Sequence, residues 1–154
     1  KLIQYQAQKM AAKKRHWLWN ILIVFTVVAC LMAFAAHYKN WTRIEPDKMT
    51  ILSGIYYHDL KFADLDKVEW VEKIPPMVRL NGFSAFEKGK GVYQEFKDTL
   101  TDKKVYVFVD NFEQQKIRLV NKDSSQLFLN LKDSVETEEL FLLFQSKMEE
   151  PNSR

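Results

Sequence analysis

The feature that most constrains this chain is a run of twenty residues, 17–36, that contains no charged residue, no glycine and no proline. A helix of that length rises about 30 Å, which matches the hydrocarbon core of a bilayer, and it satisfies its own backbone hydrogen bonds. Arg15 precedes the run, and Tyr38 and Trp41 follow it. Basic and amphipathic aromatic side chains favour the membrane–water interface. The sequence therefore predicts a transmembrane helix at residues 17–36, preceded by a basic segment at residues 1–16.

Two other interpretations of this run are a buried helix of a soluble core and a cleaved signal peptide. A charge-free run of this length is too long for a core helix in so small a protein. Ala33, Phe34 and Ala35 resemble the small-residue cleavage site of a signal peptide. The run nevertheless exceeds the roughly 7–15 apolar residues of a signal peptide, and a long segment precedes it. We therefore expect an uncleaved anchor with a single span.

Length and composition limit the part of the chain that lies beyond the anchor. Residues 37–154 are enough for one domain with one hydrophobic core. The whole chain carries 23 Lys and Arg against 20 Asp and Glu. This small excess does not favour nucleic-acid binding, which usually needs a clustered basic face. The one cysteine, Cys30, lies inside the predicted span, so no disulfide framework is predicted.

Beyond a connector at residues 37–48, short runs of β-branched and aromatic residues are separated by turn signals. Apolar alternation is clearest at Val105, Val107 and Val109, and such alternation is typical of a strand with one buried face. The spacing favours an antiparallel sheet folded into a sandwich or barrel. The predicted strands lie at residues 49–53, 55–61, 67–73, 77–82, 91–97, 104–110, 115–120 and 126–131.

Glycine-containing pairs and triplets mark the predicted turns. Asn81 with Gly82 predicts one turn, and the Gly-Lys-Gly sequence at residues 89–91 predicts a hairpin turn.

The hydrophobic period changes to that of a helix after Asp133. Asp133 and Glu136 resemble a capping box, and Leu140, Phe144 and Met148 then fall on one helical face. We expect one amphipathic helix that closes the sheet. The residues predicted to lie in the core are Val107, Leu119, Leu129, Leu140 and Phe144.

Several strands followed by one closing helix is the order of a pleckstrin-homology (PH) fold, and the chain resembles the bacterial PH-like domain family over residues 49–146. Family members also commonly place transmembrane helices before the domain. After Asn-Gly they usually have Gly and Pro, where this chain has Phe-Ser-Ala-Phe at residues 83–86. The resemblance implies a mainly β, PH-like domain at residues 49–150 and a membrane setting, but no particular activity. The residues that carry it are Arg79, Asn81, Gly82, Gly91, Phe96, Tyr106, Val107, Asp110, Ile117 and Leu119, with residues 127–131 and 139–144.

The flanking charges and the resemblance together predict a location. We expect the chain in the cytoplasmic (inner) membrane of a bacterium. Lys9, Lys13, Lys14 and Arg15 precede the span, so the positive-inside rule predicts that residues 37–154 lie on the outer face. Because the first residue is Lys, we expect the native chain to begin upstream, where a second span would reverse this orientation.

The sequence offers no pattern of catalytic or cofactor-binding residues. His16, His37 and His58 are far apart, and no cluster has the spacing of metal ligands. We interpret His16 and His37 as interfacial and His58 as a strand-surface residue. No nucleophile or phosphate-loop motif is present. The chain is therefore predicted to be neither an enzyme nor a binder of a metal, cofactor or small-molecule substrate.

A binding or scaffold module at the membrane is the function that remains. The first hypothesis is recruitment of a protein partner through an exposed sheet edge or through the loop that carries Phe83 and Phe86. The alternative is contact with anionic lipid headgroups through a rim of lysines around the predicted turns. The candidate contact residues are Phe83, Phe86, Lys88, Lys90, Lys103 and Lys104.

Overall fold

The structure is a computed structural model that describes residues 1–85, 87–95 and 104–150, without the side chains of residues 7–15, 83, 85 and 95. The chain divides into two compact units, Lys1–His37 and Tyr38–Arg154.

The first unit is formed by one long helix, α1, at Leu2–Tyr38. Its segment His16–Tyr38 has a mean hydropathy of 2.4, and none of its most apolar stretch is buried inside the protein. The segment is long and apolar enough to cross a membrane. Thr26 Oγ1 donates to the carbonyl of Leu22 at 2.8 Å, so the hydroxyl is satisfied within the helix. The full exposure of an apolar segment this long argues against a soluble-core helix and is consistent with single-pass membrane anchoring.

The second unit is mostly β, with two sheets and one C-terminal helix. A three-stranded sheet has the order β1-β2-β3, and a six-stranded sheet has the order β4-β8-β9-β7-β6-β5. A 3-10 turn at Phe62–Asp64 joins them, and the helix α2 follows at Ser134–Glu149. The strands are β1 Trp41–Ile44, β2 Lys48–Ser53, β3 Tyr56–Lys61, β4 Leu65–Val71, β5 Met77–Ala85, β6 Lys88–Glu95, β7 Lys104–Val109, β8 Lys116–Asn121 and β9 Gln126–Asn130.

The strand pairing departs from the predicted all-antiparallel sheet at one place. β7 and β9 pair in parallel, with Val105 opposite Gln126 and Val109 opposite Asn130. β8 pairs with β4 on one side and with β9 on the other, both antiparallel. β9 therefore returns in the direction of β7 and fills the position between β7 and β8. Alternation in the sequence predicts a strand but not the direction of its neighbour, because both kinds of ladder have the same side-chain period.

The eight predicted strands correspond to β2 through β9. The connector predicted at residues 37–48 contains a ninth strand, β1, which pairs with β2 from Trp41 opposite Leu52 to Ile44 opposite Met49. β1 has four residues, three of them exposed, and so lacks the alternation that marked the other strands.

The hydrophobic core has two parts, one on each face of the six-stranded sheet. The larger part contains Leu119, Leu129, Leu140 and Phe144 and lies beneath the three-stranded sheet and α2. Val107 belongs to the smaller part, with Val105, Val109 and Phe128. All five predicted core residues are therefore buried. The predicted cap of α2 is also confirmed, because the Asp133 carboxylate accepts a hydrogen bond from the backbone N–H of Val135 at 2.8 Å.

Both turns predicted around residues 81–91 are wrong, because these residues lie inside strands. Gly82 of β5 pairs with Gly91 of β6, and the strands are joined next to Ala85 and Lys88. The φ angles of the two glycines are +149° and +142°. A Cβ on Gly82 would lie 2.9 Å from the Cα of Gly91. The glycines therefore serve a close backbone approach between strands, and not a reversal of the chain.

Replacing Gly91 with alanine is expected to destabilise the domain by about 2 kcal/mol or more, because the new Cβ meets the β5 backbone and the φ angle is unfavourable for an L-residue. Urea denaturation of the full chain in a mild detergent, followed by near-UV circular dichroism, measures this. Gly54→Ala, at a turn with a φ of +64°, tests a positive φ without the paired glycine. An equal loss at both sites would contradict the role of the close approach.

Candidate functional site

The predicted lysine rim does not form one surface among the residues that the structure describes. Lys88 begins β6 and Lys104 begins β7, and these strands are antiparallel. Lys104 lies opposite Gln94, six residues along β6 from Lys88, so the two lysines lie at opposite ends of the sheet, separated by roughly 20 Å of strand. Phe83 lies in β5 opposite Lys90, and its side chain is not described. Phe86 and Lys103 lie outside the described residues.

Lys90, predicted on the exposed rim, has a completely buried side chain, so that prediction is wrong. Its Nζ lies 3.1 Å from Asp110 Oδ1, and neither side chain is exposed to solvent. Burial lowers the pKa of Lys90, and the negative charge of Asp110 opposes that shift. β6 is an inner strand of its sheet, and the Lys90 side chain lies on a covered face of it with no exposed surface. Lys90 therefore cannot contact a membrane or a partner.

A buried polar network surrounds this ion pair where the chain enters the β-domain. The backbone N–H of Asn40 donates to Asp110 Oδ2 at 2.6 Å, and its side-chain amide donates to the carbonyl of Asn130 at 2.9 Å. Ser53 Oγ donates to Asn40 Oδ1 at 2.6 Å. Ser53 ends β2 and Asn130 ends β9, so Asn40 ties both sheets together. We call this end of the two sheets the Asn40 end and the opposite end, at the β8–β9 turn, the Ser125 end.

Three lysines converge near Tyr38 at the Asn40 end. Lys88 Nζ donates to the backbone carbonyl of Tyr38, and its charge lies 5.1 Å from the centre of the tyrosine ring. Lys132 Nζ donates to the Tyr38 hydroxyl and lies 3.9 Å from the ring centre. Lys39, the next residue, lies over the ring of Trp41 at 4.6 Å. We call Lys39, Lys88 and Lys132 the Tyr38 collar.

A groove of about 510 Å³ separates β1 from α2. Leu131, Leu140 and Leu143 form its apolar floor, and Glu136 and Glu139 of α2 form an acidic wall. The opposite wall is strand β1, with its exposed side chains Trp41 and Ile44. β1 pairs with β2 alone among the described strands, so its other edge has no described partner strand, and its residues Trp41, Thr42 and Ile44 line the groove.

A second cleft, of about 650 Å³, lies at the Ser125 end and is lined by Lys61, Lys104, Asp64 and Asp123 among others. His58, predicted as a strand-surface residue, is half-buried on β3 in the wall of this cleft, where its ring centre lies 4.1 Å from that of Tyr106 in a tilted arrangement and burial lowers its pKa. Charges of both signs line the cleft, which gives it no preference for either sign of ligand. No group of three potential metal-ligating residues occurs among the described residues.

Sequence reasoning missed the groove and most of the collar. The parts of the groove are about 90 residues apart, as are Tyr38 and Lys132, so no local spacing reports them. The one available signal for the groove was the pair Glu136 and Glu139, which helical spacing places on one face. Acidic residues in the first turns of a helix are also explained by the helix dipole alone, so the pair does not by itself indicate a groove.

The sequence matches no family model, and comparison with curated proteins and with solved structures gives no significant match.

Proposed function

We propose that this chain is a membrane-anchored binding module that recruits a protein partner through the groove between β1 and α2. The observation that carries the proposal is an unpaired strand edge beside an apolar floor and an acidic wall. The PH-like assignment and the location of the domain outside the cytoplasm remain parts of this proposal. The order of strands and closing helix supports the first, and the basic residues before the span support the second.

The strand edge supplies the backbone part of recognition. The outer edge of β1 presents N–H and C=O groups without a partner strand among the described residues. An extended segment that adds to such an edge satisfies those groups by main-chain hydrogen bonds. Because β1 has only four residues, the backbone alone offers few bonds, and side-chain contacts must supply the remaining affinity.

The groove indicates which side chains the partner carries. Leu131 and Leu140 of the floor are largely buried, and an apolar side chain of the partner placed above them would complete a dry contact. Neither Glu136 nor Glu139 forms an ion pair with any described residue. Their carboxylates favour a partner with a lysine or arginine near its apolar residue. The expected ligand is therefore an extended segment with one apolar and one basic side chain.

β5, the longest of the strands at a sheet edge, is less suited to strand addition than β1. It has nine residues, and Val78 and Leu80 on it are exposed. Its register shifts between Arg79 and Asn81, which leaves Leu80 as the extra residue of a bulge. Bulges twist an edge away from incoming strands and commonly protect it from pairing. The groove beside β1 has no such interruption.

Photo-crosslinking in the native membrane tests this proposal. A benzophenone amino acid in place of Thr42, inside the groove, is expected to capture a protein, and one in place of Tyr57, exposed on β3, is not. The captured peptide should contain an apolar residue close to Lys or Arg. A synthetic copy should bind the purified full chain and slow the hydrogen exchange of the β1 amides.

Charge reversal supplies the matched control. Glu136→Lys with Glu139→Lys should reduce peptide binding at least tenfold, because attraction becomes repulsion at two positions. Glu138→Lys with Glu149→Lys makes the same change of charge on α2 at two residues that do not line the groove, and should leave binding unchanged. Equal losses in both variants, or capture of lipid alone at position 42, would overturn the proposal.

A further inference from the structure

We propose that the Tyr38 collar, Lys39, Lys88 and Lys132, is a binding site for the phosphate groups of anionic phospholipids. The site requires the membrane anchor, and it shares Lys39 with the lining of the groove between β1 and α2, although it requires no partner in that groove. It differs from the lysine rim predicted from the sequence, of which it keeps only Lys88.

The first argument is the depth at which the collar lies. Tyr38 is the last residue of the candidate span His16–Tyr38. Chain connectivity alone therefore puts Tyr38 at the level where hydrocarbon gives way to headgroups. Lys88 and Lys132 both contact Tyr38 directly, and Lys39 follows it in the chain. The collar is thereby tied to the residue at which the candidate span ends, which is the depth at which a headgroup phosphate would meet it.

The second argument is the absence of a counter-charge among the described residues. None of the three lysines forms an ion pair with a described carboxylate, whereas Lys48, Lys67 and Lys147 each do. Asp133, the neighbour of Lys132, accepts the capping bond from the Val135 N–H instead. Three uncompensated positive charges around one side chain repel each other and attract an anion.

The third argument is the hydrogen-bonding capacity that remains. An ammonium group has three N–H donors. Lys88 and Lys132 each donate one hydrogen bond to Tyr38, and Lys39 contacts only the face of the Trp41 ring. Each lysine therefore keeps at least two donors for a phosphate oxygen. A charge-assisted bond of this kind is stronger than one to water.

A purely structural role for the collar explains only part of this geometry. Lys88 satisfies the carbonyl of Tyr38, as cations commonly do at the last turn of a helix. Lys132 contacts the ring and hydroxyl of Tyr38 and no helix carbonyl, and Lys39 contacts neither. One lysine is enough to cap the carbonyl, so the two additional charges need another explanation. An anionic headgroup explains all three.

Spin-labelled lipids test the site in the full chain. The protein is reconstituted into phosphatidylcholine vesicles with traces of spin-labelled phosphatidylglycerol or phosphatidylcholine, and the motionally restricted fraction of each label is measured by electron paramagnetic resonance. We expect phosphatidylglycerol to be preferred by roughly three- to tenfold, with a decrease at high salt.

Two triple variants at the collar and one triple control variant elsewhere isolate the contribution of the collar. Lys39→Gln, Lys88→Gln and Lys132→Gln together should remove most of the preference, and arginine at the same positions should retain it. The control changes three exposed lysines at the Ser125 end to glutamine, namely Lys61, Lys104 and Lys122. This control variant has the same net charge as the collar glutamine variant, and it should retain the preference for phosphatidylglycerol. The basic residues of segment 1–16 are common to every variant, so they do not affect the comparison.

The results distinguish this site from its alternatives. Equal losses in the two glutamine triples would mean that net charge alone sets the preference and would overturn the proposal. An unchanged preference in the collar triple, with the urea midpoint intact, would also overturn it. Inorganic phosphate that displaces the lipid better than chloride at matched ionic strength would identify a soluble anion as the ligand instead. Failure of the groove experiments would leave these outcomes unaffected.

Discussion

Replacing Phe144 with alanine is expected to lower the free energy of unfolding of the β-domain by about 3–5 kcal/mol. The Phe144 side chain has no exposed surface, and its ring centre lies 6.3 Å from that of Phe62 in an edge-on arrangement. It belongs to the larger part of the core, where α2 packs against β4, β8 and the 3-10 turn. Truncation leaves a cavity that the closely packed side chains around it fill only in part. Urea denaturation of the full chain in detergent measures the loss.

Leu142 provides the control on the same helix. Its side chain is 57% exposed, and Leu142→Ala is expected to change the free energy of unfolding by no more than about 0.5 kcal/mol. A loss below about 1 kcal/mol for Phe144→Ala would mean that α2 does not close the sheet, and similar losses at both positions would mean that helix propensity and not burial is being measured.

The elements that sequence reasoning predicted well are those whose signal is local. α2 was predicted because Leu140 and Phe144 repeat at helical spacing behind the capping residue Asp133. β7 was predicted because Val105, Val107 and Val109 alternate. In both elements the residues that define the period are the residues that become buried, so pattern and packing agree.

The elements that were predicted wrongly depend on partners distant in the sequence. Gly82 and Gly91 carry the usual signal of a turn, but their glycine character serves the approach of two strands. The short strand β1 forms because β2 is available to pair with it. β9 runs parallel to β7 because it lies between β7 and β8 and pairs antiparallel with β8. None of these partners can be identified from spacing within one segment.

The candidate sites illustrate the same limit for function. Lys88 and Lys90 are two residues apart and are equivalent as surface cations at the level of sequence. In the structure Lys88 contacts Tyr38 at the surface, whereas Lys90 is paired with Asp110 in the interior. Lys132, which completes the collar, has no feature in the sequence to separate it from other exposed lysines. Which lysines are accessible to a ligand is decided by the sheet that positions them.

Replacing Lys90 with methionine is expected to destabilise the domain by about 3–5 kcal/mol, since the change leaves the carboxylate of Asp110 buried without its counter-charge. Asp110→Asn is expected to cost a similar amount, because it leaves the ammonium group of Lys90 alone in the interior. Either substitution would also weaken the hydrogen bonds of Asn40, the residue that connects both sheets where the chain enters the β-domain. Urea denaturation of the full chain in detergent again provides the measurement.

The double variant separates the ion pair from simple packing. Lys90→Met combined with Asp110→Asn leaves no isolated charge, and the asparagine can still accept the hydrogen bond from the Asn40 N–H. We therefore expect the double variant to be more stable than either single variant, with a coupling free energy of at least about 1 kcal/mol. Arg43→Gln, which breaks an exposed pair with Glu45 at 3.4 Å, should change stability by less than about 0.5 kcal/mol. Additive losses at Lys90 and Asp110 would contradict the buried pair, because independent sites add and coupled charges do not.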